Sequence, residues 1–114
     1  MKYLLIHAVA EARLDRTPDA EAEDGRVLTE WLDDVARRGV YVTGNRLQPV
    51  SDATCVRVQD GEVLISDGPF AETKEQVAGF DIIDCADLDE ALEIASRHPT
   101  SAIGTIEVRP FLDR

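Results

Sequence analysis

Two histidines, His7 and His98, are the residues of this 114-residue chain best suited to proton transfer near neutral pH, since an imidazole titrates near pH 6.5. They stand close to opposite ends of the sequence, so only a fold can bring them together. A histidine acting as acid or base also needs a carboxylate or carbonyl to orient it. The run Asp67-Gly68-Pro69-Phe70 begins with such a carboxylate, and Glu72, Lys74 and Glu75 follow closely. The candidate catalytic set is therefore His7, His98 and Asp67. Lys74, as an anion contact, joins Glu72 and Gln48 as the candidate substrate-binding set.

Each of these residues has a plainer role as well. Asp67-Gly68-Pro69 is a turn signal, in which the aspartate accepts backbone N–H groups. Glu72, Lys74 and Glu75 suit a solvated surface, where single charges matter little. His7 fits a packed or subunit-interface position, and His98, just before Pro99, fits a helix end. Phe70 is expected to anchor the loop by packing beneath it. The chain has no Ser-His-Asp order, no phosphate-binding glycine loop and no metal-ligand spacing. Cys55 and Cys85 form neither a Cys-x-x-Cys pair nor a disulfide framework, and are expected to be buried thiols in a reducing cytoplasm.

The elements that must carry these residues follow from periodicity. Residues 2–9 alternate as a strand, with Leu4 and Ile6 on one face and Tyr3, Leu5 and His7 on the other. Five carboxylates between Asp15 and Asp24 lead into a helix whose stripe is Val27, Leu28, Trp31, Leu32 and Val35. Pro18 or Asp24 marks its start, and Arg37-Arg38-Gly39 its end. Residues 40–48 form a second strand, stopped by Pro49. Residues 54–59 and 62–66 form a hairpin about Asp60-Gly61. A loop from Asp67 to about Gln76 enters a strand over 77–85. Asp87-x-x-Glu90 reads as a capping box opening a helix that ends at His98-Pro99. Residues 105–109 form the last strand.

This order is β-α-β, an inserted hairpin, then β-α-β: a ferredoxin-like α+β pattern, an antiparallel sheet with two helices on one face. Strand directions then bring His7, Gln48, the Asp67 loop and His98 to one end of the sheet. The helices cover only one face. Part of the set Tyr3, Leu5, Val40 and Val42 would be left bare on the other, and a homodimer packing sheet to sheet would cover it.

The chain length suits a single domain spanning 1–114. Its 12 basic and 23 acidic residues give a net charge of −11. That charge disfavours both a phosphate backbone and an anionic membrane surface as partner. The apolar stretch after Met1-Lys2 is interrupted by His7 and is too short for a secretory signal, and no run reaches the ~20 apolar residues of a membrane span.

The stretch from Thr54 to Phe80, centred on Asp67-Gly68-Pro69-Phe70 and running on to Glu75, resembles the YCII-related family, specifically its DGPF-motif subgroup. Met1-Lys2-Tyr3, Leu47-Gln48-Pro49, Leu88-Asp89-Glu90-Ala91-Leu92 and Ile106-Glu107-Val108-Arg109-Pro110 extend the likeness over nearly the whole chain. The resemblance implies a dimeric α+β barrel with no cofactor and no settled reaction, and at most a regulatory link to sigma factors. The core branch of that family carries a histidine on its first helix and an aspartate near the end of its second. Here the first helix has no histidine and His98 precedes Pro99, so that pair does not transfer. Two function classes follow: a cofactor-free lyase or isomerase acting on an unknown small molecule through histidine, and a non-catalytic ligand sensor or protein partner in a sigma-factor circuit.

Overall fold

The computed structural model describes residues 1–112. Strands β1 (Lys2–Ala10), β2 (Tyr41–Arg46), β5 (Glu75–Asp84) and β6 (Thr105–Pro110) form one antiparallel sheet in the order β2-β5-β1-β6. Strands β3 (Thr54–Gln59) and β4 (Glu62–Asp67) pair only with each other in a separate two-stranded sheet. Helices α1 (Pro18–Arg37) and α2 (Leu88–Ser96) cover one face of the larger sheet, and a single-turn helix, α3 (Thr100–Ile103), follows α2. The pattern is the ferredoxin-like one, with the hairpin inserted between β2 and β5.

Local chemistry sets the helix ends. Thr17 caps α1 by accepting the Ala20 N–H at 3.2 Å, and Pro18 takes the first helical position, where its missing N–H costs nothing. Asp24, the rival start, lies inside the helix and pairs with Arg16 at 3.0 Å. At the other end Gly39 adopts φ +70°, and the Val40 N–H returns to the Val35 carbonyl at 3.1 Å. This reversal buries Val35 and Val40 together. In α2, Asp87 accepts the Glu90 N–H at 2.9 Å, as the sequence spacing predicts, while the Glu90 carboxylate returns to the Ala86 N–H at 2.8 Å, one residue before the N-cap.

The core lies between sheet and helices. Tyr3 and Leu5 of β1 and Ile83 of β5 meet Trp31 and Val35 of α1 and Ala91, Ile94 and Ala95 of α2. The Trp31 indole N–H donates to the Ile94 carbonyl at 2.9 Å and ties the two helices together. Tyr3, Leu5 and Val40 are thus helix-side residues, not part of the bare face expected for them. Helix packing selects the larger, more buried set, and leaves Leu4 and Ile6 half-buried on the opposite face, beside their cross-strand partners Ile82 and Phe80.

Other boundaries shift. Strand β2 ends at Arg46, so Gln48 lies beyond it. Strand β5 begins at Glu75, where Thr105 Oγ1 donates to the Glu75 carboxylate at 2.8 Å, and Asp67 belongs to β4 rather than to the loop. Cys85 is buried but Cys55 only half-buried, because its strand packs under no helix. Phe70 is not a packing anchor: it is 84% exposed. The hairpin turn itself follows its sequence. Asp60 (φ +51°) and Gly61 (φ +79°) both take the left-handed backbone that a tight two-residue turn between twisted strands requires.

Candidate active site

Alternation along β1 sends Tyr3, Leu5, His7 and Val9 beneath the helices. His7 is the polar member of that row. On β5, Asp81 is in phase with Ile83 and is carried to the same covered face. His98 follows the end of α2, and Pro99 turns the chain into α3. The Thr100 N–H then donates to His98 Nδ1 at 3.0 Å and fixes the ring over the sheet. His7, Asp81 and His98 retain only 5%, 7% and 9% of their surface exposed.

The three form one cluster. His7 Nε2 lies 2.7 Å from Asp81 Oδ2, and His98 Nε2 lies 3.9 Å from the same oxygen. The Tyr41 hydroxyl donates to Asp81 Oδ1 at 3.2 Å. The two imidazole rings are stacked at a tilt, 4.2 Å between centroids, and Trp31 meets His98 edge-on at 4.8 Å.

A bulge in β2 makes this convergence possible. Tyr41 pairs with Ile83 and Gly44 with Asp81, so Val42 is an extra residue on the β2 side. The bulge puts Tyr41 and Gly44 on the same covered face, where regular alternation would separate them. Position 44 must then lack a side chain. A Cβ there would fall 1.9 Å from Asp81 Oδ1 and 2.7 Å from the Tyr41 hydroxyl.

Proton positions follow from these bonds. His98 Nδ1 accepts the Thr100 N–H, so a neutral His98 carries its proton on Nε2, facing Asp81. Burial pushes the His98 pKa down to about 4, with the neighbouring His7 adding to the effect and Asp81 opposing it. His7 donates through Nε2 to Asp81, which leaves the Nδ1 lone pair. That nitrogen is buried and has no hydrogen-bond partner among the described residues. Burial, then the Asp81 charge, raises the Tyr41 pKa and keeps its hydroxyl a donor. Asp81 thus accepts from His7 and Tyr41, with the His98 Nε2–H 3.9 Å away, and the unpaired basic position of the cluster is the buried His7 Nδ1.

The three side chains can place ligand atoms within 4.8 Å of one another, a spacing that could hold a metal ion. Their protonation does not suit one. A ligating histidine offers a lone pair on one nitrogen and donates from the other, but His98 already spends its Nδ1 lone pair on Thr100, which leaves a proton on Nε2 where the metal would bind.

The fold therefore brings together His7 and His98 from the candidate residues, and places the other four elsewhere. Asp67 pairs with Thr54 at the base of the hairpin, in the other sheet. Glu72 and Lys74 are exposed in the loop before β5. Gln48 lines an open, mostly apolar depression of about 390 Å³ with Pro49, Cys55, Pro69, Phe70 and Val77. The carboxylate that orients a histidine is Asp81. Its signal in the sequence was a charge in phase with Ile83 and Cys85, a position where a lone carboxylate would be costly unless paired. Tyr41 carried no such signal, because the bulge hides its phase.

A four-stranded antiparallel sheet with a buried polar cluster beneath two helices defines a ferredoxin-like α+β domain. The chain belongs to the YCII-related domain family, whose model matches residues 1–113. It is 43% identical over 100 residues to an uncharacterised protein of Rhizobium meliloti (strain 1021), covering 81% of this chain and 78% of that one. Among solved structures it resembles the 5-chloro-2-hydroxyhydroquinone dehydrochlorinase of Burkholderia phenoliruptrix AC1100, in complex with 2,5-dihydroxybenzoquinone. There the TM-score is 0.58 with 11% identity, over 98% of this chain and 94% of that one. That likeness is one of fold. Among the described residues no helix is long and apolar enough to cross a membrane.

Proposed function

We propose that this protein is a cofactor-free lyase or isomerase of small molecules in which His7 Nδ1 is the general base. The observation that carries the reading is the orphaned Nδ1 lone pair on a ring whose other nitrogen is held by Asp81 at 2.7 Å. A buried acceptor without a donor costs about 1–3 kcal/mol, and a substrate C–H or O–H would relieve it. As the proton moves to Nδ1, the ring becomes an imidazolium in contact with the Asp81 carboxylate, which stabilises the charge where it develops. The electron pair left on the substrate either expels a leaving group, which is elimination, or is reprotonated at another atom by the same imidazolium, which is isomerisation. The Tyr41 hydroxyl, donating to Asp81 Oδ1, holds the carboxylate in place. The dehydrochlorinase of similar fold makes a hydroxylated, chlorinated hydroquinone a reasonable first probe.

The test uses 5-chloro-2-hydroxyhydroquinone for chloride release, and a panel of carbon acids for exchange of C–H for deuterium. His7→Gln keeps an N–H donor for Asp81 but removes the base. Turnover or exchange by the wild type that falls about 100-fold or more in His7→Gln supports the reading. Equal rates in both proteins, or none in either, would sink it.

A second reading draws on the burial of the cluster and on the depression near Phe70, which is lined by other residues. In it the protein is a ligand-sensing or partner module of a sigma-factor circuit, and the DGPF segment shapes the binding surface. Thermal stabilisation by a compound that undergoes no turnover favours it. In both readings the half-buried Leu4, Ile6, Phe80 and Ile82 face is the expected contact of a homodimer.

A further inference from the structure

The β3–β4 hairpin is built as an amphipathic arm whose apolar side is left exposed by the described residues. Its register pairs Val56 with Ile65 and Val58 with Val63 on one face, and Cys55 with Ser66, Arg57 with Leu64 and Gln59 with Glu62 on the other. The four β-branched residues of the first face are 63–70% exposed. Its two strands are held together at the root, where the Gly68 N–H donates to the Ala53 carbonyl at 2.7 Å and the Cys55 thiol to the Gly68 carbonyl at 3.2 Å. An isolated two-stranded hairpin is marginal in water, so an arm of this composition calls for a surface to lie on.

The surface area indicates how large that contact is. The chain exposes 8128 Å², whereas a folded monomer of its mass exposes about 6,200 Å². Its radius of gyration is 16.1 Å, against about 13 Å for a compact chain of this length. The excess of about 1,900 Å² per chain is the amount that each partner of an obligate homodimer buries. The molecule is also a slab, only 18 Å along its shortest axis, and six-residue strands reach about 20 Å, enough to cross the thickness of a second copy.

We propose that the arm is a dimerisation clasp: the Val56, Val58, Val63 and Ile65 face of one copy lies on the helix-free sheet face of a second copy, at Leu4, Ile6, Phe80 and Ile82, and the contact is made reciprocally. The proposal rests on the homodimer reading above and adds to it the element that holds the dimer. A second copy suits the arm because both complementary surfaces belong to this one chain. A two-fold axis then makes each contact twice and closes the assembly. All eight positions are uncharged, and the charges beside them on the sheet face, Glu107 and Arg109 as partners of Ile6 and Leu4, form an opposite-charge pair at 3.5 Å at the edge of the contact.

Sedimentation and mixed-isotope NMR test it. The wild type should sediment at twice 12.6 kDa. The Val56→Glu/Ile65→Glu variant should weaken dimerisation by about 100-fold or more while keeping the wild-type His7 and His98 resonances. In a wild-type dimer made from one labelled and one unlabelled copy, methyl groups of Val58 and Ile65 should show contacts to Phe80 and Leu4 across the copies, a measurement that needs no substitution. A wild type that stays at 12.6 kDa at all micromolar concentrations overturns both the dimer and the clasp. A dimer that lacks those cross-copy contacts, or whose folded arm variant dimerises as tightly as the wild type, overturns the clasp alone.

Discussion

The cluster under the helices and the hairpin arm are opposites in chemistry and in what holds them. The first buries a carboxylate and two imidazoles, each at most 9% exposed; the second exposes four β-branched apolar side chains, each at least 63% exposed. The cluster is assembled from β1, β2, β5, α1 and the chain after α2. Every bond within it joins residues distant in sequence, except the short Thr100 to His98 link. The arm is assembled from fourteen consecutive residues, with a left-handed turn at Asp60-Gly61 and a continuous register. A site made of distant parts is sensitive to any one of them, whereas a local element tolerates change and reserves its apolar surface for contacts outside its own sheet.

The largest test of that contrast is Asp81→Ala. It leaves the His7 N–H and the Tyr41 hydroxyl without their common acceptor. Leaving a buried donor unsatisfied costs about 1–3 kcal/mol, so with two donors orphaned, urea unfolding at neutral pH should show a loss of about 2–6 kcal/mol. His98→Gln leaves both hydrogen bonds to Asp81 in place and should cost less than Asp81→Ala; equal costs would mean that Asp81 does not hold the cluster together.

Acid is the next probe. The folded pKa of His98, about 4, lies below its unfolded value near 6.5. The unfolded chain therefore binds the proton first as pH falls. Stability from a neutral His98 is complete above about pH 6.5 and is lost progressively down to about pH 4, a difference of about 3 kcal/mol. Comparing wild type and His98→Gln by urea unfolding across that window isolates this contribution from the many carboxylates. Curves that stay parallel would contradict the burial of His98.

Gly44→Ala is a smaller but more local lesion. The new methyl would strike Asp81 Oδ1 at 1.9 Å, and forced overpacking costs about 1–3 kcal/mol. The histidine resonances should shift in the same variant, because Asp81 must move. Gly44→Ala with unchanged His7 and His98 spectra would mean that the bulge does not position the carboxylate.

In the arm, Gly61→Ala strains a backbone at φ +79°. The cost should be about 1 kcal/mol, with no change in the histidine spectra. Coupling between this turn and the cluster would blur the division between the two regions.

Much of the fold was legible in the sequence because its signals are local. Helix α2 could be read from Asp87-x-x-Glu90, the end of α1 from Gly39 and the hairpin from Asp60-Gly61, since each encodes a backbone geometry in adjacent residues. Element order then gave the sheet topology. Misplaced features depended on contacts outside their own segment. Phe70 looked like a core residue by type, yet its loop follows an arm that packs under no helix. Strand β1 showed two apolar faces, and only the helices chose which became the core.

The site divides along the same line. His7 and His98 could be singled out by chemistry, and strand directions sent both to one end of the sheet. Periodicity alone could put Asp81 on the face of Ile83, but not opposite Gly44, nor within reach of Tyr41. That arrangement needs the extra residue in β2, and a bulge leaves no mark in the pattern of apolar residues. Adjacent residues encode the elements with their caps and turns, and the two histidines stand out by their chemistry. Which carboxylate His7 meets, and which of its nitrogens stays unpaired, emerges from the packed fold, because hydrogen bonds between distant segments exist only once the sheet and helices have packed.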